Sequence, residues 1–255
     1  MLSIKKITIL LSLIILAFSL SVEALLGQQQ KVSDDNVNKG QEPIVDYESS
    51  QPSTPEEAAK RKAKDGFLSK KTLAESPNAQ VFVTIRGTWL ERLPSFPVSL
   101  SDTIIIGSVS DGRAYLSANK TGVFSEFNIQ IEEVLKQSSD SFLAAGNSII
   151  AEREGGRVRY PSGHIQRYVI LHQGMPVVGK RYVFFLRKAD QTAEVAPYIL
   201  TGYELRAGHV FPIDGVDGNN EEKLSQFTAY EGADEGAFLG ELRGAIAKIA
   251  SKEGK

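Results

Sequence analysis

Residues 122–136, GVFSEFNIQIEEVLK, alternate large apolar side chains with polar ones. A period of two is typical of a β-strand with one buried face. A helix would place Ile129 opposite the other apolar residues, so the sequence favours a strand. On this interpretation the inward-facing residues are Phe127, Ile129, Ile131 and Leu135. Glu133 is the one residue that does not fit, and the stretch is expected to form a wall of a β-rich domain.

Other apolar stretches of similar length lie on both sides of this strand. They are VFVTI (81–85), TIIIGSVS (103–110), SIIAERE (148–154), HIQRYVIL (164–171), RYVFFLRK (181–188) and YILTGYEL (198–205). The successive apolar residues 182–186 are typical of a strand buried on both faces. Gly155-Gly156 predicts a hairpin turn, and Pro161-Ser162-Gly163 predicts a second turn. The fold class expected is mainly β, a small OB-like barrel or sandwich.

The C-terminal region, residues 233–252, has the spacing of an amphipathic helix. Its apolar residues are Phe238, Leu239, Leu242, Ala245, Ile246 and Ile249. Acidic residues at its start and lysines near its end favour the helix dipole. We expect the apolar stripe to pack on the β domain, with a partner protein as the alternative.

The first 24 residues have the pattern of a secretory signal peptide. Lys5 and Lys6 precede an apolar run, residues 7–22, and Val22-Glu23-Ala24 offers small residues at a cleavage site. The run has 16 residues, fewer than the roughly 20 that a membrane-spanning helix needs. An uncleaved anchor is the alternative. The protein is therefore expected to be exported to the periplasm, the cell surface or the medium, with no membrane attachment after cleavage.

The chain contains no cysteine. A lipid-anchored lipoprotein and disulfide stabilisation are thereby excluded, so a buried apolar core must stabilise the domain. An exported, cysteine-free chain suggests a bacterial protein.

Residues 25–76 are predicted to be a disordered N-terminal tether. Only 9 of these 52 residues are Leu, Ile, Val or Phe, too few to offset the entropy of ordering. At most a short, transient helix is expected after Pro55. The remaining chain is expected to form a β domain at 77–215, followed by an acidic loop and the C-terminal helix at 216–255.

Several functional classes are disfavoured by the sequence. It has no cysteine nucleophile, no G-x-S-x-G elbow and no H-E-x-x-H pair. His164, His172 and His209 lie in separate segments, and the acidic loop at 214–222 lacks EF-hand spacing. We therefore predict no metal and no cofactor. Residues 77–212 carry 14 basic and 12 acidic side chains, a balance that disfavours nucleic-acid binding.

A cluster of basic and aromatic residues surrounds the two predicted turns. Its members are the candidate ligand-binding residues Arg153, Arg157, Arg159, Tyr160, His164 and Arg167. Strand alternation places Arg157 and Arg159 on one face and Tyr160 on the other. Such a face could hold a carboxylate, a phosphate or a sugar acid. The alternative is a set of surface ion pairs with Glu152 and Glu154 across the hairpin.

Motifs between about Asp102 and Asp214 resemble those of known exported proteins. The motifs are SDTIIIGSV, YLSANKTGVFSEFNIQIEEVLK, GGRVRYPSGHIQRY, HQGMPVVGKRYVFFLRK, ILTGYELRAGHVFPIDG and, in the tail, EGADEGAFLGEL. They resemble a group of exported bacterial proteins with no assigned activity. Their order also resembles the OB-type barrel of netrin and metalloproteinase-inhibitor modules. That resemblance implies fold and export, but those inhibitors chelate metal with an N-terminal cysteine that this chain lacks.

Two functional hypotheses follow from the sequence. The first is an exported, non-catalytic β module that binds a protein or an envelope polysaccharide through its loops or one sheet face. The second is a hydrolase with paired carboxylates, which would need two of them in a cleft. The candidates for that pair are Glu126, Glu132, Glu133, Glu152 and Glu154. Strand alternation places Glu126 and Glu132 on an outward face, and a purely structural role in the envelope is the remaining alternative.

Overall fold

The computed structural model describes residues 42–48, 52–66, 69–78, 80–84, 91–138, 142–188, 196–215 and 224–253. These ranges contain eleven β-strands and three α-helices. The strands are β1 (Ile44–Asp46), β2 (Val81–Thr84), β3 (Thr103–Leu116), β4 (Val123–Lys136), β5 (Ser148–Glu154), β6 (Gly156–Arg159), β7 (Ile165–Ile170), β8 (Arg181–Arg187), β9 (Tyr198–Arg206), β10 (His209–Pro212) and β11 (Ala233–Asp234). The helices are α1 (Pro55–Ala63), α2 (Ser225–Thr228) and α3 (Glu235–Glu253). The prediction of a mainly β fold with a C-terminal helix is confirmed.

Seven strands form one sheet in the order β11-β10-β9-β5-β4-β3-β8, and β8 also pairs with β9. Strands β3, β4, β5, β9 and β8 therefore pair in a closed circuit. Four of its junctions are antiparallel ladders. The fifth, between β5 and β9, is parallel and consists of one pair in the described residues, Glu152 opposite Tyr198. Because this junction is so short, the predicted barrel stays a prediction.

Strand β8 separates the two main hydrophobic clusters. Val183 and Phe185 belong to the first cluster, whereas Tyr182, Phe184 and Leu186 belong to the second. None of the five is more than 1% exposed. The expectation of a strand buried on both faces is confirmed, because successive side chains of one strand point to opposite sides.

Strand β4 follows the predicted alternation in its central part and departs from it near its end. The residues of β4 buried in the second cluster include Phe127, Ile129 and Ile131. The pairing with β3 then shifts register between Ile106 and Gly107. Beyond this irregularity Val134 packs on the second cluster and Leu135 on the first. The prediction that Leu135 continues the row was wrong, and the register shift explains the misfit at Glu133.

Four strands form a second sheet in the order β1-β6-β7-β2. Its centre is the antiparallel hairpin of β6 and β7. The predicted turn at Pro161-Ser162-Gly163 closes this hairpin, with the Gly163 N–H donating to the Tyr160 carbonyl at 2.8 Å. Strand β1 adds in parallel to β6, and β2 adds in parallel to β7.

Gly155 and Gly156 connect the two sheets. Strand β5 pairs with β4, whereas β6 pairs with β7 and β1, so the predicted Gly-Gly hairpin was wrong. The φ angles of the two glycines are 102° and 145°. A Cβ at Gly155 would lie 2.8 Å from the carbonyl oxygen of Tyr168. Only glycine fits this conformation and this close approach.

Helix α3 packs on the first hydrophobic cluster, as expected from its stripe. Phe238, Leu239 and Leu242 are buried members of that cluster. Ala245, Ile246 and Ile249 are partly buried against it. The stripe therefore lies on the β domain of the same chain.

The predicted N-terminal tether differs from the structure within its described parts. Residues 42–48 contain β1, and residues 52–66 contain α1 with the buried side chains of Arg61 and Lys64. The low apolar content was misleading because polar, charged and aromatic groups make most of the contacts described below. The predicted signal peptide, tether residues 25–41 and loop residues 216–223 lie outside the described residues. None of the helices in the described ranges is long and apolar enough to cross a membrane.

Candidate functional site

The second sheet brings together four of the six candidate binding residues. Arg157 and Arg159 lie on β6, Arg167 lies on β7, and Tyr160 directly follows β6. Val158 and Tyr160 are buried in a third hydrophobic cluster, whereas Arg157 is half-buried and Arg159 is exposed. The predicted alternation of the two faces is therefore confirmed. We call Arg157, Arg159 and Arg167 the arginine edge.

The arginine edge holds the chain's own residues 42–47, EPIVDY. Ile44, Val45 and Asp46 lie opposite residues 157–159 in parallel register. The Arg157 N–H donates to the Pro43 carbonyl at 3.0 Å, and the Tyr47 N–H donates to the Arg159 carbonyl at 2.9 Å. This segment therefore extends the sheet by one strand.

Both acidic side chains of the segment bind arginines of the edge. The Glu42 carboxylate accepts two hydrogen bonds from Arg167, one of them from Nε at 2.6 Å, a bidentate geometry. Arg157 Nε donates to the Glu42 backbone carbonyl at 2.8 Å. Arg159 Nη1 lies 3.1 Å from Asp46 Oδ1. The arginine edge therefore contacts one acid at each end of the added strand.

Aromatic contacts fix the end of the segment. The Tyr47 ring stacks on Tyr160, with 5.0 Å between centroids, and the Lys120 ammonium lies 4.1 Å above the Tyr47 ring. The Tyr160 and Tyr168 hydroxyls are 2.5 Å apart. Burial raises the pKa of Tyr160 above its ordinary value, so its hydroxyl stays protonated at neutral pH. Tyr47 is thus the aromatic anchor of the segment.

The electrostatics of the edge favour an anionic occupant. Arg157 lies directly opposite Arg167 in the β6–β7 ladder, and like charges in this relation repel. Burial lowers the pKa of Arg157, and the nearby Arg159 and Arg167 lower it further, while Glu42 opposes this change. A carboxylate bound across the arginine edge therefore reduces the repulsion between its arginines.

The other two candidate residues have different surroundings. Arg153 lies on β5, is 1% exposed and donates from Nη2 to both oxygens of Asp214, at 2.5 and 2.6 Å. Its Nε and Nη1 have no hydrogen-bond partner among the described residues. The N–H of His164 donates to Ser162 Oγ within the turn. Arg153 is thus part of a buried ion pair and does not contribute to the arginine edge.

The expected ion pairs of the arginines with Glu152 were wrong. Glu152 is fully buried and lies under helix α1. Its Oε1 accepts a hydrogen bond from Lys64 Nζ, and its Oε2 accepts one from the Tyr115 hydroxyl. Lys64 also donates to the Tyr198 hydroxyl. The acidic partners of the arginine edge come instead from Glu42 and Asp46, over 100 residues upstream.

Glu126 forms the second half of this buried charge cluster. It lies opposite Glu152 in the β4–β5 ladder. Its carboxylate accepts from Lys60 Nζ at 2.7 Å and from Arg113 Nε at 2.8 Å. The prediction that Glu126 lies on an outward face was wrong, because helix α1 covers the side chain, which is 5% exposed. Two carboxylates thus meet two lysines of one helical turn.

Rings complete the surroundings of the lysines. Lys64 Nζ lies 4.3 Å from the centre of the Tyr198 ring and 5.1 Å from that of Phe124. Lys60 Nζ lies 4.2 Å from the centre of the Tyr115 ring. We call Tyr115, Phe124, Glu126, Glu152 and Tyr198 the ammonium cage. Burial alone would lower the pKa of Lys64, but the charge and hydrogen bond of Glu152, together with Tyr198, outweigh it, and the net pKa is raised.

Glu132 and Glu133, two of the remaining hydrolase candidates, do not join the Glu126–Glu152 pair. Glu132 binds Ser108 and Arg181, and Glu133 binds Arg243 of helix α3.

A cavity of about 30 Å³, room for one or two water molecules, lies near Leu73, Val123 and Tyr168. In the described ranges no group of three or more acidic or histidine side chains has metal-binding geometry.

No protein-family model matches the chain, and no curated protein matches it at a significant level. The resemblances inferred from its motifs therefore stay predictions.

Proposed function

We propose that this protein is an exported, non-catalytic module that binds an extended acidic segment of a partner protein along β6. The observation that supports this proposal is the position of residues 42–47, which already occupy the arginine edge as an added strand. Strand addition is a common mode of peptide recognition, in which main-chain bonds supply affinity and side chains supply selectivity. The intramolecular segment is a template for the ligand.

The contacts of this template define the ligand class. It carries a carboxylate at its first position for Arg167, a second carboxylate four residues later for Arg159, and an aromatic residue next to it for Tyr160. The second position is proline, packed toward Gly112, whose hypothetical Cβ would lie 3.1 Å from the Pro43 ring. A partner segment of the form E-P-x-x-D-Y would reproduce these contacts, and an apolar residue at its fourth position would reproduce the packing of Val45 on the third cluster.

A partner segment would have to compete with the chain's own segment, whose main-chain pairing is short. Its strand contains three residues, and the Arg159–Asp46 pair is about half exposed on both sides. Exposed ion pairs of this kind contribute little, roughly 0–1 kcal/mol. The tether gives the segment an effective concentration on the order of millimolar. A partner with a longer strand, or with several copies of the motif, would compete with it.

The test uses the full chain and a fluorescent peptide with the sequence of residues 40–49. In the double variant Glu42→Lys/Asp46→Lys, charge repulsion releases the chain's own segment from the arginines. Anisotropy titrations should then show at least about 10-fold tighter peptide binding than to the unmodified chain, in which the tethered segment competes. The matched control peptide carries glutamine in place of Glu42 and asparagine in place of Asp46 and keeps Glu48. The matched control protein is the double variant with Arg157→Ala/Arg167→Ala added.

The outcomes separate the alternatives. Binding that is lost with the control peptide and with the arginine variant supports the proposal. Equal binding of the acidic and amide peptides would contradict it. If an oligouronate displaces the acidic peptide at lower concentration than unlabelled peptide does, a polysaccharide acid replaces the acidic peptide as the ligand.

A further inference from the structure

The ammonium cage is built by the sheet and not by the helix that fills it. Tyr115 comes from β3, Phe124 and Glu126 from β4, Glu152 from β5 and Tyr198 from β9. The pairings among these four strands fix the relative positions of the five side chains. The cage can therefore keep its form when its occupant changes.

The cage needs a cation. Glu152 is fully buried and Glu126 is 5% exposed, and removing the partner of a buried charge is strongly destabilising. The Tyr115 hydroxyl donates to the Glu152 carboxylate, whereas the Tyr198 hydroxyl accepts from Lys64. Burial together with Glu152 raises the pKa of Tyr115. Tyr115 thus stays a neutral hydrogen-bond donor, and the positive charge beside Glu152 comes from the Lys64 ammonium group. Glu126 is paired with the Lys60 ammonium group and, on its outer side, with the exposed Arg113 guanidinium.

The chemistry of the walls selects an ammonium group. Three aromatic rings lie within about 5 Å of the two Nζ atoms, a distance at which the ring faces attract cations. Two carboxylates and a phenol oxygen accept the N–H groups of Lys60 and Lys64. A compact head on an alkyl stem fits such a site better than a planar guanidinium.

Helix α1 is attached through these charges and not through an apolar face. Its sequence, PEEAAKRKA, contains no apolar side chain larger than alanine apart from the first-turn proline. Arg61 is its one buried residue, and the next buried residue is Lys64, the C-cap. Around the cage, the Ala118 N–H donates to the Arg61 carbonyl at 3.1 Å, and Thr121 Oγ1 accepts from the Gly66 N–H at 2.8 Å. An element with so little buried apolar surface opens more easily than the core.

We infer that the ammonium cage is a second binding site, specific for primary alkylammonium groups, which Lys60 and Lys64 occupy in the resting chain. The ligand chemistry is that of a lysine side chain, supplied either by a lysine-bearing segment or by a free alkylamine. This site is distinct from the arginine edge. It binds cations, whereas the arginine edge binds carboxylates, and it does not depend on the proposed peptide binding.

The first experiment supplies the free ammonium group to a chain that lacks one. Lys64→Ala in the full chain removes the ammonium group that binds Glu152 in the ammonium cage. Millimolar butylammonium chloride should raise the Tm of this variant in a saturable manner, by about 3 °C for a chain of this size. The unmodified chain, whose cage is filled, should not respond. Butanol and sodium chloride are the matched probes that lack the ammonium group or the alkyl stem.

Two further variants keep the test decisive. Lys64→Ala/Glu152→Gln retains the shape of the cage without its charge and should lose the response to butylammonium. If Lys64→Ala does not fold, Lys60→Ala tests binding of butylammonium beside Glu126. Lys60 is 15% exposed, so its removal should destabilise the fold less than the removal of Lys64. Equal effects of butylammonium, butanol and sodium chloride would overturn the inference, as would a response that survives Glu152→Gln.

The second experiment identifies the source of the ammonium group. A labelled peptide of residues 53–66 is titrated against Lys60→Ala/Lys64→Ala and compared with a peptide that carries glutamine in place of Lys60 and Lys64 and keeps Lys62. At least about 10-fold tighter binding of the lysine peptide assigns the cage to lysine-bearing segments. A response to butylammonium without peptide discrimination assigns it to free alkylamines. Absence of both responses would overturn the inference.

Discussion

Glu126 and Glu152 lie directly opposite each other on neighbouring strands, and each carboxylate binds a different lysine of the same helical turn. Lys60 and Lys64 are four residues apart, the spacing that places two side chains on one face of a helix. The paired acids therefore match the periodicity of helix α1. This match holds a weakly apolar helix on the sheet and makes the segment upstream of the β domain part of its structure.

Replacing Lys64 by methionine should destabilise the protein strongly. Lys64→Met preserves most of the side-chain volume but leaves the buried Glu152 carboxylate without its ammonium partner, an expected loss of about 3–5 kcal/mol in the free energy of unfolding. Lys62→Met, an exposed position on the same helix, should change it by less than about 0.5 kcal/mol. Urea unfolding measures both. Adding Glu152→Gln to Lys64→Met should recover part of the loss, and a Lys64→Met loss below about 1 kcal/mol would contradict this account.

Adding one methyl group at Gly174 should be severely destabilising. A Cβ there would lie 1.8 Å from the carbonyl oxygen of Ile213, so Gly174→Ala forces the backbone apart. The expected loss is about 3 kcal/mol or more. Gly244→Ala is the matched control, because helix α3 leaves open space there and alanine favours helix, a gain of roughly 0.5–1 kcal/mol. Opposite shifts of Tm should result, and a similar shift for both variants would be inconsistent with the close approach.

The two-sheet core could be predicted from local patterns, because period-two alternation and the run at 182–186 report which face is buried. The places where the prediction failed are non-local. The register shift that separates Val134 from Leu135 depends on the partner strand, and the switch between sheets at Gly155-Gly156 depends on the approach of Tyr168. Neither feature leaves a signal in a single stretch of sequence.

The candidate site was predicted only in part for a related reason. The outward face of Arg157 and Arg159 follows from alternation, but their partners, Glu42 and Asp46, lie in a region whose composition indicates disorder. The one available signal for the ammonium cage was the pair Lys60 and Lys64, four residues apart after a helix start at Pro55. The count of Leu, Ile, Val and Phe indicates how much apolar surface a segment can bury. It does not report charge pairs or tyrosine contacts, and these are the contacts that mainly attach this region.

The start of helix α1 should depend on pH through Glu57. The Ser53 hydroxyl and N–H donate to the Glu57 carboxylate at 2.6 and 2.8 Å, and Arg61 attracts it, which lowers the pKa from 4.5 to about 2. Because the folded state favours the charged form, the stabilisation is complete above about pH 4.5 and is lost as the pH falls towards 2. Amide exchange of residues 56–63, measured from pH 5 to pH 2.5, should accelerate in the unmodified chain relative to Glu57→Gln. Parallel curves for the two proteins would contradict the assignment.

The two acid–arginine contacts of the added strand should differ in strength. Arg167 binds Glu42 through two nitrogens, whereas Arg159 reaches Asp46 through one nitrogen at 3.1 Å with both side chains about half exposed. A lysine cannot reproduce the bidentate geometry. Arg167→Lys should therefore accelerate hydrogen exchange of the Tyr47 amide, which donates to the Arg159 carbonyl, by about 10-fold, and Arg159→Lys by about 2-fold or less. Equal acceleration by the two substitutions, or none by Arg167→Lys, would show that the main-chain bonds alone hold the strand on β6.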